Sequence, residues 1–282
     1  MRRSVWQWGR GVALALSGGL CALSTQAGAA PSRVVSMNLC TDQLAMLVAA
    51  PGQLVSVSYL AADPMASAMV AEARTVEVNH GLAEEIAFLR PDLVLAGSHT
   101  SRVTVDMLKR LGHRVEVFEP ENSLDDIRAN LRKMGHVLGR DARAEELVRR
   151  MDDALADIAS SQPPVRRDTA IYHVSGFTSG TGSLGHAIVE AAGLENIAPK
   201  LGLAAGGALP LEALILSGPD VVVRGQSHQG HSRGEEMLRH PALERMLQSS
   251  RAAAETRPEW SCGTPLTVNA IRALRQAAQE GA

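Results

Sequence analysis

One short pattern occurs twice in this chain, 128 residues apart. Glu84 stands seven residues before Pro91-Asp92-Leu93-Val94-Leu95, and Gly97 closes the run. Glu212 stands seven residues before Pro219-Asp220-Val221-Val222-Val223, and Gly225 closes it. Each copy reads as a helix, a Pro-Asp turn and a buried strand, since an unbroken Val/Leu run lacks the alternation of a half-exposed strand. A Pro-Asp turn before an apolar run is common by itself. Its coincidence with a glutamate and a glycine at one fixed offset is not, and it points to two lobes of similar build.

The surrounding sequence alternates strands and helices. Strands are predicted over 33–37, 54–58, 75–78, 92–96 and 114–118, with helices over 42–49, 65–73, 83–89 and 103–111 between them. Ser123 and Asp126 carry a capping signal for the next helix. A βα series of this kind implies a mostly parallel sheet covered on both faces. From 141 to about 160 apolar residues recur at helical spacing with charges on the opposite face, predicting a helix of roughly 30 Å. A second series follows: strands over 169–174 and 220–224, helices over 186–192 and 211–216, helices within 232–249 and a last helix over 267–279. The expected fold is α/β, two lobes with mostly parallel sheets joined by one long bridging helix. The expected division is 1–29 leader, 30–140 first lobe, 141–162 bridging helix and 163–282 second lobe.

The leader reads as a cleavable secretory signal: Arg2, Arg3 and Arg10, an apolar stretch over 11–22, then the small-x-small site Ala27-Gly28-Ala29. Cleavage there leaves 25 basic against 30 acidic residues, an acidic chain outside the cytoplasm with no basic surplus for nucleic acid. It also removes Cys21, leaving Cys40 and Cys262. Three readings stand for this pair: a disulfide across the lobes, thiolate ligation of a metal, or two small buried residues. The last is slightly favoured, because free cysteine behaves as a small hydrophobe.

The order and spacing of several segments resemble the periplasmic substrate-binding proteins of metal-chelate ABC importers, which carry vitamin B12, ferric siderophores and heme. The matching segments are Arg33-Val34-Val35-Ser36, Glu84 with Arg90-Pro91-Asp92-Leu93-Val94, Phe177-Thr178-Ser179-Gly180, Glu212 with Pro219-Asp220-Val221-Val222-Val223, and Trp260. The Phe177 run and Asn196-Ile197 are most similar to the vitamin B12 carriers. The resemblance implies a monomeric periplasmic carrier with no cofactor of its own. It would hold a metal chelate between two lobes and deliver it to a membrane permease dimer. Glu84 and Glu212 would each meet basic residues of that permease.

In open α/β sheets ligands lie beyond the carboxyl ends of the strands. That rule selects Asn38, Cys40, Tyr59, His80, His99, Phe177, Trp260 and Cys262 as candidate ligand contacts. Tyr59, Phe177 and Trp260 offer rings for a planar or macrocyclic ligand. Phe88, Phe118 and Tyr172 fall within elements and are expected in the core. Asn79-His80-Gly81 stands where the B12 carriers have a large aromatic, so His80 and His99 are candidates to meet an exposed metal of a chelate. His228 and His231 form a weaker candidate loop. The alternatives are a carrier of a bare transition-metal ion and a periplasmic enzyme. No nucleophile elbow, phosphate-binding glycine loop or HExxH pattern favours the enzyme.

Overall fold

The computed structural model describes residues 29–160, 166–226, 232–250 and 252–280. The predicted signal segment and the His228–His231 loop therefore lie outside the described residues, apart from Ala29. The first lobe runs β1 (Val34–Ser36), α1 (Leu39–Val48), β2 (Leu54–Ser58), α2 (Val70–Ala73), β3 (Glu77–Asn79), α3 (Ala83–Phe88), β4 (Leu93–Gly97), α4 (Arg102–Arg110), β5 (Val115–Phe118) and α5 (Leu124–Leu138). Helix α6 (Asp141–Ser160) follows. The second lobe runs β6 (Asp168–Tyr172), β7 (Phe177–Thr178), α7 (Leu184–Ala191), β8 (Glu195–Asn196), β9 (Gly207–Ala208), α8 (Leu211–Ser217), β10 (Val221–Arg224), α9 (Arg233–Leu238), α10 (Pro241–Ser249), β11 (Ala252–Glu255) and α11 (Thr267–Glu280).

The first sheet has the order β3-β2-β1-β4-β5 and the second β11-β10-β6-β8, every pair parallel; β7 and β9 form a separate antiparallel pair. In both sheets the first strand is central and its neighbours are added on either side. The chain therefore reverses its direction of winding between β1 and β4 and again between β6 and β10. Such a reversal leaves a crevice at the carboxyl ends of the strands, because the connections on its two sides run to opposite faces.

The duplicated Pro-Asp turn has a structural role. Asp92 accepts hydrogen bonds from Ser32 N at 2.7 Å, Arg33 N at 3.0 Å and Ser32 Oγ at 2.9 Å, and so ties β4 to the start of β1. Asp220 accepts from Asp168 N at 3.2 Å, the same tie at the start of β6. Burial works against ionisation of Asp92, but its donors outweigh that and hold its carboxyl below the usual range. The residue ending each preceding helix segment is left-handed: Arg90 at φ 49° and Gly218 at φ 54°.

Helix α6 joins the lobes and is packed rather than free-standing. Its Leu147, Val148, Met151 and Ile158 enter one continuous core that includes Val34, Leu93 and Leu131 on one side and Ile171, Val221 and Ile271 on the other. Gly139, left-handed at φ 66°, ends α5 and lets α6 fold back along it. A Cβ at Gly135 would come within 2.5 Å of Ala144 Cβ, so the two helices touch backbone to side chain. Arg128–Asp152 at 2.6 Å and Arg132–Glu145 at 2.7 Å cross the same seam.

Three local expectations change. The helix expected over 65–73 is confined to Val70–Ala73, because the Asp63 carboxylate takes Met65 N and Ser67 Oγ takes Met69 N, local bonds that compete with the helix ladder. Asp126 turns back onto Asn122 N and Ser123 Oγ instead of the Ser123 backbone, so the cap on α5 is not a reciprocal box. Phe118 and Tyr172 are buried, but Phe88 is 87% exposed. In the six-residue α3, Ala83 and Ile86 occupy the core face and Phe88 projects from the other side.

Candidate functional site

The crevice of the first lobe is built by its winding reversal. Asn38 lies just past β1 and caps α1, its Oδ1 accepting from Cys40 N at 3.0 Å and Thr41 N at 3.4 Å. Gly97 ends β4 beside it: a Cβ there would stand 3.0 Å from the Asn38 side chain. The second lobe repeats the arrangement, with a Cβ at Gly225 coming within 3.0 Å of His173 at the end of β6. Burial pushes the His173 imidazole below its ordinary pKa. The glycines of the duplicated pattern are therefore required where two strand ends converge.

A cavity of about 330 Å³ opens at this point between the lobes. Its first-lobe wall is Asn38, Cys40 and Thr41 after β1, Gly97, Ser98 and His99 from the end of β4, and Phe118 to Asn122 from the end of β5. Leu184, Trp260, Ser261 and Gly263 face them from the second lobe. The volume lies within the range of small-molecule sites, and the mix of two large rings, Trp260 and Phe118, with several polar groups is usual for them.

Of the residues selected from sequence, the structure brings Asn38, Cys40, His99 and Trp260 into one cavity. Tyr59 and His80 meet elsewhere on the first lobe, at the ends of β2 and β3. Their rings stack at 5.7 Å with 18° between planes, and Glu85 accepts from His80 N at 2.7 Å. Phe177 is half exposed on β7, outside the cavity wall. Cys262 is buried and bonded to Cys40, so the reading of two unpaired buried cysteines gives way to a disulfide across the lobes, and neither sulfur is a free thiolate. The 222-residue separation gave no sign that the two would meet. Glu84 and Glu212 are both exposed, in the first turns of α3 and α8.

The segment after β5 was missed, although the rule that selected the other strand ends applies to it equally. It contributes two carboxylates, Glu119 and Glu121. Glu121 is buried, accepts from Asn130 Nδ2 at 2.5 Å, and has its pKa raised by burial. It also lies against the second lobe, where a Cβ at Gly263 would fall 2.2 Å from the Glu121 Cβ. Among the described residues no lysine or arginine lines the cavity.

Asp42 is buried one turn into α1, behind the cavity wall. Ser58 donates to its Oδ2 from Oγ at 2.5 Å and from N at 3.2 Å, while its Oδ1 has no hydrogen-bond partner. Burial dominates over these bonds and raises its pKa from 3.8 to about 6. Among the described residues no three His, Cys, Asp or Glu side chains converge to hold a metal ion, and no helix is long and apolar enough to cross a membrane.

Two parallel α/β lobes packed on one connecting helix, with a crevice at facing strand ends, define a two-lobed binding protein. The chain belongs to the periplasmic binding protein family, whose family model matches residues 34–257. It is 31% identical over 204 residues to the cobalamin-binding protein of Halobacterium salinarum, an alignment covering 70% of this chain and 54% of that protein. The match thus spans about half the length of this curated relative. The fold is similar to that of the periplasmic heme-binding protein RhuT from Roseiflexus sp. RS-1, with TM-score 0.72 and 20% identity over 89% of this chain and 98% of the other. It is also similar to an Fe3+-hydroxamate transport protein from Saccharomonospora viridis, with TM-score 0.66 and 19% identity over 88% and 93%.

Proposed function

We propose that this protein is a periplasmic carrier that captures a corrinoid, a metal chelate of neutral or positive charge, and delivers it to an ABC importer permease. The observation that carries the choice of chelate is the charge of the cavity wall. Glu119 and Glu121 line it, and among the described residues no lysine or arginine does. The propionates of heme or the phenolates of a ferric catecholate would meet like charge in a partly desolvated site, a repulsion that works against binding. The amide-fringed rim of a corrinoid presents donors to those carboxylates and to Asn38. Trp260 supplies an apolar wall for the macrocycle. The cobalamin-binding relative agrees with this reading.

Under the same reading, residues 30–140 and 163–282 are the two lobes, and residues 1–29 direct export and are removed. Glu84 and Glu212 dock a permease dimer. A carrier of bare ions would need several converging ligands, and the described residues offer no such group. The test is a thermal-shift panel of cobalamin, cobinamide, heme, a ferric catecholate and a ferric hydroxamate. A ligand at 100 times its dissociation constant adds about 2.7 kcal/mol of apparent stability. Corrinoids should raise the melting temperature. A shift with heme or the catecholate and none with either corrinoid would overturn the proposal.

A further inference from the structure

Helices α3 and α8 occupy equivalent places in the two lobes, and their residues correspond at the 128-residue offset position by position. Ala83 and Leu211 are buried, as are Ile86 and Leu214. Glu84 and Glu212 are exposed. One turn further on stand Phe88 and Leu216, each 87% exposed. Residues four apart share a helix face, so each glutamate has a large apolar side chain as its outward neighbour. Leu82 and Pro210, the residues preceding the two helices, are exposed on the other side of the glutamates.

A single exposed leucine or phenylalanine needs no explanation. Two at equivalent positions, equally exposed and each beside an equivalent carboxylate, do. Packing cannot supply the reason, since neither side chain is buried. Solubility cannot either, since both positions would serve it better with a polar residue. The N-termini of both helices lie at the carboxyl edges of their sheets: α3 starts four residues after β3 ends, and α8 three residues after β9, which pairs with β7 beyond the end of β6. Glu84 and Glu212, in the first turns, thus stand near the rims that bound the cleft, and Phe88 and Leu216 continue each patch one turn further along its helix.

We propose that Phe88 and Leu216 are apolar anchors of the docking surface, each seated in an apolar socket beside the basic group that meets Glu84 or Glu212. This rests on the carrier reading above and adds to it the chemistry of the partner's surface. The occupant is a two-fold symmetric membrane permease, because one socket repeated by symmetry fits a patch repeated at a constant offset. Two copies of this chain would instead oppose carboxylate to carboxylate, which disfavours self-association. The anchors and the carboxylates divide the work. Exposed charges steer encounter and set the salt dependence of association, whereas buried apolar anchors exclude water and slow dissociation.

The experiment measures association and dissociation rates of the whole carrier on the importer permease in nanodiscs, at several salt concentrations. The double variant F88A/L216A should dissociate at least tenfold faster with an unchanged salt dependence of association, and F88L/L216M should restore slow dissociation. E84A/E212A should associate more slowly and lose the salt dependence. Unaltered melting temperature and monomeric sedimentation of every variant should accompany these results. Wild-type dissociation by F88A/L216A with slowed association by E84A/E212A would overturn the anchors and leave the carrier's docking intact. Wild-type kinetics in both double variants would overturn the docking role of this rim altogether. A wild-type dimer abolished by F88A/L216A would assign the patches to a second copy and overturn the proposal.

Discussion

Cys40 and Cys262 join the first turn of α1 to the segment leading into α11 through a disulfide, with their Cα atoms 5.1 Å apart. Each lobe contributes one sulfur, so the edge of the cavity is closed covalently. Helix α6 joins the two lobes a second time, through a continuous core. Two connections of such different kinds leave little freedom for the lobes to separate.

Reduction, or the double variant C40A/C262A, should therefore lower stability by about 2–5 kcal/mol without changing secondary structure. Chemical denaturation with and without a reductant checks this. An unchanged midpoint would show that the noncovalent interface alone holds the lobes together.

Ligand binding should leave the overall shape nearly unchanged, because closure about a hinge needs a flexible linker and α6 is a packed helix. X-ray scattering profiles with and without a bound corrinoid should superimpose. A contraction of several ångströms in the radius of gyration would mean that the lobes swing.

The buried Asp42 makes stability depend on pH in a definite direction. Its carboxyl holds a proton more tightly in the folded chain, at about 6, than at its ordinary value of 3.8. The folded state is thus favoured while that proton is bound, fully below about pH 4, and the advantage is lost as pH rises through 6. Asp42→Asn should then be more stable than wild type at pH 7.5, by up to about 3 kcal/mol, with the gain disappearing below about pH 4. Urea denaturation at both pH values measures it, and a gain of equal size at both would contradict the assigned cause.

Gly263→Ala places a methyl group 2.2 Å from the Glu121 Cβ. The contact joins the lobes, so relief requires the lobes to shift apart. A loss of about 1–3 kcal/mol is expected from overpacking, with weaker ligand binding and an altered Trp260 emission. Wild-type affinity would show that the cavity tolerates the shift.

Most of the larger elements were legible because their signals are local. The periodicity over 141–160 marks α6 itself, and the Val-rich runs mark β1, β4 and β10. Strands β8 and β9 are two residues long, and β11 begins with three alanines; only pairing with a neighbour makes them strands. The cavity was legible as a set of strand ends, but not the separation of the Tyr59–His80 stack from Trp260, which depends on strand order. Nor was the disulfide, which depends on how two lobes meet. Phe88 was placed in the core because apolar residues in a short helix are usually buried.

Whether the cleft beside Trp260 holds a corrinoid is decided by calorimetric titration of the purified protein. Cobalamin or cobinamide should bind saturably at one site, with Trp260→Ala weakening the complex by about 2 kcal/mol, roughly thirtyfold. Heme at the same concentrations should give no saturable heat. Saturable binding of heme with none of either corrinoid, or corrinoid affinity unchanged in Trp260→Ala, would mean that this cleft is not a corrinoid site.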